Sequence, residues 1–322
     1  MHPEPELLEQ AARILSAGGL VAFPTETVYG LGANALDEAA VARIFAAKGR
    51  PERNPLIVHV ASIQAARALV THWPAEAEAL AAAFWPGPLT LVLPKRALIP
   101  SLVSAGLDSV GIRIPAHPVA LALITLAAMP IAAPSANRYT HISPTTAAHV
   151  ADGLGTGVDL ILDAGPTQVG IESTVVSLLG AAPQILRPGM LGRAELARVA
   201  PTIDYAKSEP ASDEQRPQLA PGLARKHYAP RARVMVVEHI EADNDHGMTR
   251  VGRLSLHPSR LASSTDPELA IVLPAEPAAY AEHFYEALHR LDALGCELIV
   301  IEAPPRTEQW HAIWDRLNRA RS

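Results

Sequence analysis

The chain has 322 residues, 49% of them hydrophobic and 19% charged, enough to bury a full core in one large domain or two of ordinary size. A formal net charge of -6 argues against a general nucleic-acid coat or a binder of anionic membranes, since both draw on a broad excess of Lys and Arg. The single cysteine, Cys296, excludes an internal disulfide and a Cys-rich metal site, which fits a reducing cytosol. Residues 1–6 have neither the basic start nor the apolar core of a signal peptide, and the most apolar stretch, 119–133, is shorter than a membrane span. A soluble, cytoplasmic protein with no membrane contact is expected.

In chain order, Leu7, Leu8, Ala11, Ile14 and Leu15 recur at helical spacing, and Gly18-Gly19 ends that helix before an apolar strand over 20–23. Asp37 is placed to cap a helix over 38–47, and Leu56-Ile57-Val58-His59-Val60 reads as the next strand. Strands over 89–93, 110–114, 131–133, 160–162 and 174–178 alternate with helices over 75–84, 118–128 and 144–151, the pattern of an α/β domain with a mixed sheet. Residues 207–218 turn to Ser, Glu, Pro, Asp and Gln and read as a linker. Beyond Arg231, strands over 234–237, 271–273 and 298–301 alternate with helices over 278–294 and 308–319, predicting a smaller α/β domain.

Several segments carry groups suited to chemistry. Pro24-Thr25-Glu26-Thr27-Val28-Tyr29-Gly30-Leu31-Gly32 sets hydroxyls, a carboxylate and glycines directly after a buried strand, where α/β sheets bind ligands; a tight connection with locally capping threonines reads equally well. Lys48-Gly49-Arg50 followed by Asn54-Pro55 suits polyphosphate, although a solvated basic helix end is the commoner meaning of such residues. Arg113, in the otherwise apolar strand Val110-Gly111-Ile112-Arg113-Ile114, needs a partner such as a ligand carboxylate if it points inward, or faces water if it does not. Ser135 and Asn137 after a short strand, Ser173 and Arg187 repeat the choice between ligand contact and ordinary turn, and His59 alone reads as a core or edge histidine. Neither a serine-hydrolase elbow, a Walker loop nor a Gly-x-Gly-x-x-Gly fingerprint is present. After the linker, Ala220-Pro221-Gly222-Leu223-Ala224-Arg225-Lys226-His227-Tyr228-Ala229-Pro230-Arg231 is basic and proline-braced, fit to close over a site or to strap two domains together.

Taken in order, these segments, together with Trp85-Pro86-Gly87-Pro88-Leu89-Thr90, Arg187-Pro188-Gly189 and His227-Tyr228-Ala229-Pro230, resemble the threonylcarbamoyl-AMP synthase family in its two-domain form. The resemblance covers most of the chain. It implies a YrdC-like catalytic domain (1–205) with a mixed twisted sheet and helices, a linker or lid (206–231) and a smaller Rossmann-like α/β domain (232–322). It further implies that L-threonine, bicarbonate and ATP are the substrates and that threonylcarbamoyl-adenylate and pyrophosphate are products. Mg²⁺ would accompany ATP, and the adenylate would pass to a tRNA threonylcarbamoyl transferase.

By the same resemblance Thr27, His59, Arg113 and Ser173 would hold L-threonine, with Arg113 on its carboxylate. Lys48, Arg50, Asn54, Ser109, Ser135, Asn137, Arg187 and Tyr228 would hold ATP, with Lys48 and Arg50 as the catalytic cations nearest the phosphates. Trp310-His311-Ala312-Ile313-Trp314-Asp315-Arg316-Leu317 keeps the family's Ala-Ile-x-Asp-Arg-Leu core, but Glu308-Gln309-Trp310 stands where a Gly-Leu-Gly is usual, and the second domain is short. Two other readings compete: an RNA-binding module, with weak tRNA contact, and a carbamoyl-transferring relative that works on carbamoyl phosphate. Overall acidity weighs against the first, and the lack of zinc-binding and acylphosphatase-like regions against the second.

Overall fold

The computed structural model describes residues 4–206, 218–223, 227–261 and 266–321. Most of the predicted linker, 207–217, and the cations Arg225 and Lys226 lie outside the described residues. The chain opens with α1 (Pro5–Ser16), then β1 (Val21–Pro24) and β2 (Tyr29–Asn34) as an antiparallel hairpin. Asp37 caps α2 (Glu38–Lys48), accepting from the amides of Ala39 and Ala40, and Gly49 at φ 61° ends it in the left-handed region. Next come β3 (Ile57–His59), α3 (Ile63–Ala68), α4 (Ala75–Phe84), β4 (Leu89–Pro94), β5 (Ser109–Arg113), α5 (Pro118–Ala127), β6 (Ile131–Ala132), α6 (Ala147–Leu154) and β7 (Leu160–Ile161). The first unit closes with β8 (Thr174–Ser177), β9 (Gln184–Arg187), α7 (Arg193–Leu196) and β10 (Asp204–Tyr205).

These strands form one mixed ten-stranded sheet in the order β10-β9-β8-β4-β5-β3-β6-β2-β1-β7. Helices cover both faces, as strand alternation dictates: Val21 and Phe23 pack with α1 and α5, while Leu20 and Ala22 join the core that contains α2 and α4. The second unit holds β11 (Arg233–Val237), β12 (Val251–Ser255), β13 (Ala270–Val272), α8 (Pro277–Ala293), β14 (Leu298–Glu302) and α9 (His311–Ala320). Its four strands are all parallel, in the order β11-β14-β12-β13. No helix among the described residues is long and apolar enough to cross a membrane.

The sequence-based elements recur with ends shifted by a few residues, but β2, α3, β9, α7, β10 and β12 were not expected. β2 is hidden by Gly30 and Gly32, which read as a loop. A Cβ at Gly32 would lie 2.7 Å from Phe23 Cε1 and 2.9 Å from Ile131 Cγ2, so glycine serves close packing here. The predicted 308–319 helix divides into a 3₁₀ turn, Glu308–Trp310, and α9. In place of the family's usual glycines, Trp310 is buried edge-on against Tyr280, ring centroids 5.3 Å apart.

The two units share a core. Val28, Ile142, Ile171 and Tyr228 belong to the apolar cluster formed by α8, α9 and β14. Gly170 (φ 77°) admits the closest approach, since a Cβ there would meet Ala281 O of α8 at 2.2 Å. Beside it His289 stacks on His149 at 3.8 Å between ring centroids, its Nε2 lies 3.0 Å from Ser143 O, and His149 pairs with Glu286 at 3.2 Å.

Burial, with His149 adding, pushes the His289 pKa down to about 4, from 6.5 in the unfolded chain. Its neutral form therefore stabilises the fold above the unfolded pKa, and that contribution is lost as pH falls from 6.5 toward 4. Urea unfolding should show a loss of about 2 kcal/mol from this group between pH 6.5 and pH 5. His289→Gln should flatten the fall by that amount; an unchanged slope would remove His289 as its source.

Candidate active site

The β1–β2 turn is tied by Thr25, whose Oγ1 donates to Val28 O at 2.6 Å and lies 2.8 Å from Thr27 Oγ1. Parallel pairing of β3 and β5 sets His59 beside Arg113, and a bridge between Gly30 and Ser135 brings in the turn after β6. Ser173 precedes β8, with its hydroxyl 2.8 Å from Thr90 Oγ1. Arg187, at the end of β9, donates from Nε and Nη2 to Ser173 O at 3.2 and 2.9 Å. Pro221, Gly222, His227 and Tyr228 roof the space between these elements.

One cavity thereby gathers Thr27, His59, Arg113 and Ser173 with Arg50, Ser135, Arg187 and Tyr228. It rests on strand residues of β2, β3 and β5 as well as on loops, rather than only beyond a strand end. Of the other candidates, Asn54 stands behind the wall, donating to Tyr139 Oη at 3.1 Å, and Asn137 donates to the carbonyls of Arg138 and His141. Lys48, expected at the phosphates, is not among the residues that line this cavity. Its ammonium donates to Ser135 O and Asn137 O, both at 2.5 Å, and so braces the turn that carries Ser135. Ser109 begins β5, four residues before Arg113, or about 13 Å at ordinary strand rise, and is not among the lining residues either.

The charges are almost all buried. Lys48 and Arg50 are 3% and 7% exposed, which removes the solvated-helix-end alternative. Burial pulls the Arg50 pKa down to about 10, within the range that keeps it cationic at neutral pH. Arg113 resolves its partner question differently from expectation: Nη2 pairs with Glu26 Oε1 at 2.6 Å and Nε donates to Gly87 O at 3.2 Å. The protein, not a ligand, supplies the first counter-charge. Burial, reinforced by Arg113, lowers the His59 pKa to about 3, so the ring is neutral, and its Nδ1 has no hydrogen-bond partner among the described residues. Tyr228 adopts φ 61°, uncommon for a bulky residue, and its buried hydroxyl is likewise unpartnered among the described residues.

Sequence reasoning did not assign Glu172, which lines the cavity next to Ser173. Burial opposes its ionisation, but Arg316 and Arg187, with the Ser143 hydroxyl, outweigh that and hold its carboxyl below the usual range. The only signal was a carboxylate set between Ile171 and Ser173; two of its partners, Tyr285 and Arg316, come from positions more than a hundred residues away.

Two family models together span this arrangement. One, for the Sua5/YciO/YrdC group and described as telomere recombination, matches residues 13–189; the other, described as threonylcarbamoyl-AMP synthase, C-terminal domain, matches 191–322. The chain belongs to the threonylcarbamoyl-AMP synthase family. It is 42% identical to the threonylcarbamoyl-AMP synthase of Pyrococcus abyssi over 96% of this chain and 92% of that protein. It is 41% identical to that of Bacillus subtilis over 97% and 92% respectively. The crystal structure of P. abyssi Sua5 complexed with L-threonine is similar to the whole fold, with a TM-score of 0.91 and 41% identity over 100% of this chain and 96% of that one.

The Glu26–Arg113 pair is buried on both sides. Glu26→Gln removes one partner and leaves a buried guanidinium without its counter-charge. It should lower the unfolding free energy in urea by about 3 kcal/mol; no measurable loss would mean that solvent already screens the pair.

Proposed function

We propose that this protein condenses L-threonine, bicarbonate and ATP into threonylcarbamoyl-adenylate, releasing pyrophosphate and water, and that a tRNA threonylcarbamoyl transferase consumes the product. The observation that carries the reading is the convergence, in one cavity, of the residues expected to hold threonine with four of those expected to hold ATP. Arg113 keeps Nη1 for a substrate carboxylate while its other nitrogens hold Glu26 and Gly87. Thr27, Ser173 and the unpartnered Nδ1 of His59 supply short-range polar contacts to the rest of the amino acid.

In the reaction, the threonine amine adds to bicarbonate with loss of water, forming an N-carboxylate. A carboxylate oxygen of that carbamate attacks the α-phosphorus of ATP, and the bond from this phosphorus to the bridging oxygen of the β-phosphate breaks. Arg50 and Arg187 oppose the charge that develops on pyrophosphate, Ser135 and Tyr228 orient the nucleotide, and Lys48 acts one step back by fixing the Ser135 turn. Neutral His59 is too weak a base to drive amine deprotonation, so positioning carries most of the rate. The cavity carboxylate Glu172 is already committed to Arg316, and Glu26, paired behind Arg113, does not line the cavity; no metal-ligating cluster occurs among the described residues. Mg²⁺ would enter with ATP and offset part of the phosphate charge.

The enclosed space is about 50 Å³, against the roughly 300 Å³ or more of small-molecule sites. Lifting of the roof of Pro221, Gly222, His227 and Tyr228 would admit the substrates, in keeping with the lid role the family resemblance implies for 206–231. Closure would then exclude water from the short-lived carbamate. Calorimetric titration should find L-threonine binding to the native protein, and Arg113→Met should weaken it by about 100-fold, the loss of a charge-assisted contact. Equal affinity in the two proteins would sink the placement of threonine.

A further inference from the structure

The smaller domain reaches the cavity wall through Arg316 and Tyr285, both bonded to Glu172. Arg316, on α9, is fully buried, and every bond it makes is to protein. Nε donates to Glu172 Oε2 at 2.8 Å and Nη2 to Glu172 O at 3.4 Å, while Nη1 donates to Pro188 O at 3.0 Å and to Asp315 Oδ2 at 2.7 Å. Its guanidinium carbon lies 5.1 Å from the centre of the Tyr228 ring. Tyr285 Oη, on α8, completes the hold by donating to Glu172 Oε2 at 3.1 Å.

We infer that Arg316 is a positioning residue for the synthase reaction: it clamps the Glu172-Ser173 segment to the Arg187-Pro188 segment and supports the Tyr228 ring, so that the smaller domain completes the threonine and nucleotide contacts. The inference rests on the proposed function. Each segment that Arg316 grips presents a neighbouring residue to the cavity, Ser173 from one and Arg187 from the other, and those two are themselves bonded. With Nε and both Nη atoms engaged by protein acceptors, Arg316 acts through its neighbours and is not a phosphate ligand. A buried cation on the facing side also holds Glu172 ionised, which keeps that carboxylate in the network and out of proton transfer. Shifting either segment by a fraction of a bond length moves Ser173 and Arg187 together, an error to which reactions driven by positioning are sensitive.

The test compares the full-length protein with Arg316→Met, Arg316→Lys and Ile299→Ala. The last opens a cavity at a β14 position that makes no bond to Glu172, and controls for destabilisation. L-threonine affinity by calorimetry and the separate KM and kcat of pyrophosphate release are read with thermal melting. Arg316→Met should weaken threonine binding by about tenfold and lower kcat by about 100-fold, with Arg316→Lys between it and the native protein. Ile299→Ala should leave threonine affinity within about twofold whatever its melting temperature. Threonine affinity and kcat that stay native in Arg316→Met, or that fall equally in Ile299→Ala, would overturn the inference. Should Arg316→Met fail to fold, Tyr285→Phe removes one donor from Glu172 at little change in volume, and is expected to weaken threonine binding about threefold; unchanged affinity there would overturn the inference as well. A native protein that neither binds threonine nor releases pyrophosphate would defeat the proposed function itself, whereas a native protein that does both confines any failure to the role of Arg316.

Discussion

A buried carboxylate in the seam between two domains must be ionised and fully bonded or it becomes a liability, and Glu172 meets that condition with Ser143, Tyr285 and Arg316. Much of the site depends on this arrangement. Glu172 precedes Ser173, whose carbonyl fixes Arg187. Arg187 in turn donates to Pro221 O in the roof at 3.0 Å. The shared apolar cluster around Val28, Ile171 and Tyr228 excludes water from the same seam, which strengthens each ionic contact in it. The two family models meet at residues 189 and 191, yet the cavity and its supports draw on both.

The second organising feature is the concentration of cations around a small polar space. Arg50, Arg113 and Arg187 line it and Lys48 stands just behind, against two committed carboxylates, so the cavity favours an anionic occupant despite a chain-wide net charge of -6. The same cations depress the pKa of His227, after burial, well below the ordinary histidine range, so the roof presents a neutral ring. Such a site offers fixed charge and held geometry.

Legibility in the sequence followed the range of the physics involved. Periodicity and caps are local, and α1, α2, α4, α5 and α8 were readable from spacing, Asp37 and the flanking glycines. Strands that pack through glycine or carry polar residues were not, as β2 with Gly30 and Gly32 and β12 with Gly252 and Arg253 illustrate. The charge of Arg113 in an apolar strand raised the question of a partner and Glu172 went unassigned; in both cases the partner lay far along the chain, Glu26 for Arg113 and Arg316 for Glu172. Lys48 and Ser109 carried suitable chemistry, and only the tertiary arrangement revealed that one braces a turn and the other sits at the far end of its strand. The altered residues before α9 left the role of the smaller domain open in the sequence; Trp310 packs there against Tyr280, and Arg316 bonds Glu172 at the site.

The central claim is that one closed cavity joins threonine, bicarbonate and ATP. Its most direct test is pyrophosphate release by the purified protein with ATP and Mg²⁺, leaving out L-threonine or bicarbonate in turn and capturing any labelled adenylate. The account predicts release that needs both and yields threonylcarbamoyl-adenylate in equal amount. Release indifferent to either omission, or none with all substrates present, would contradict it.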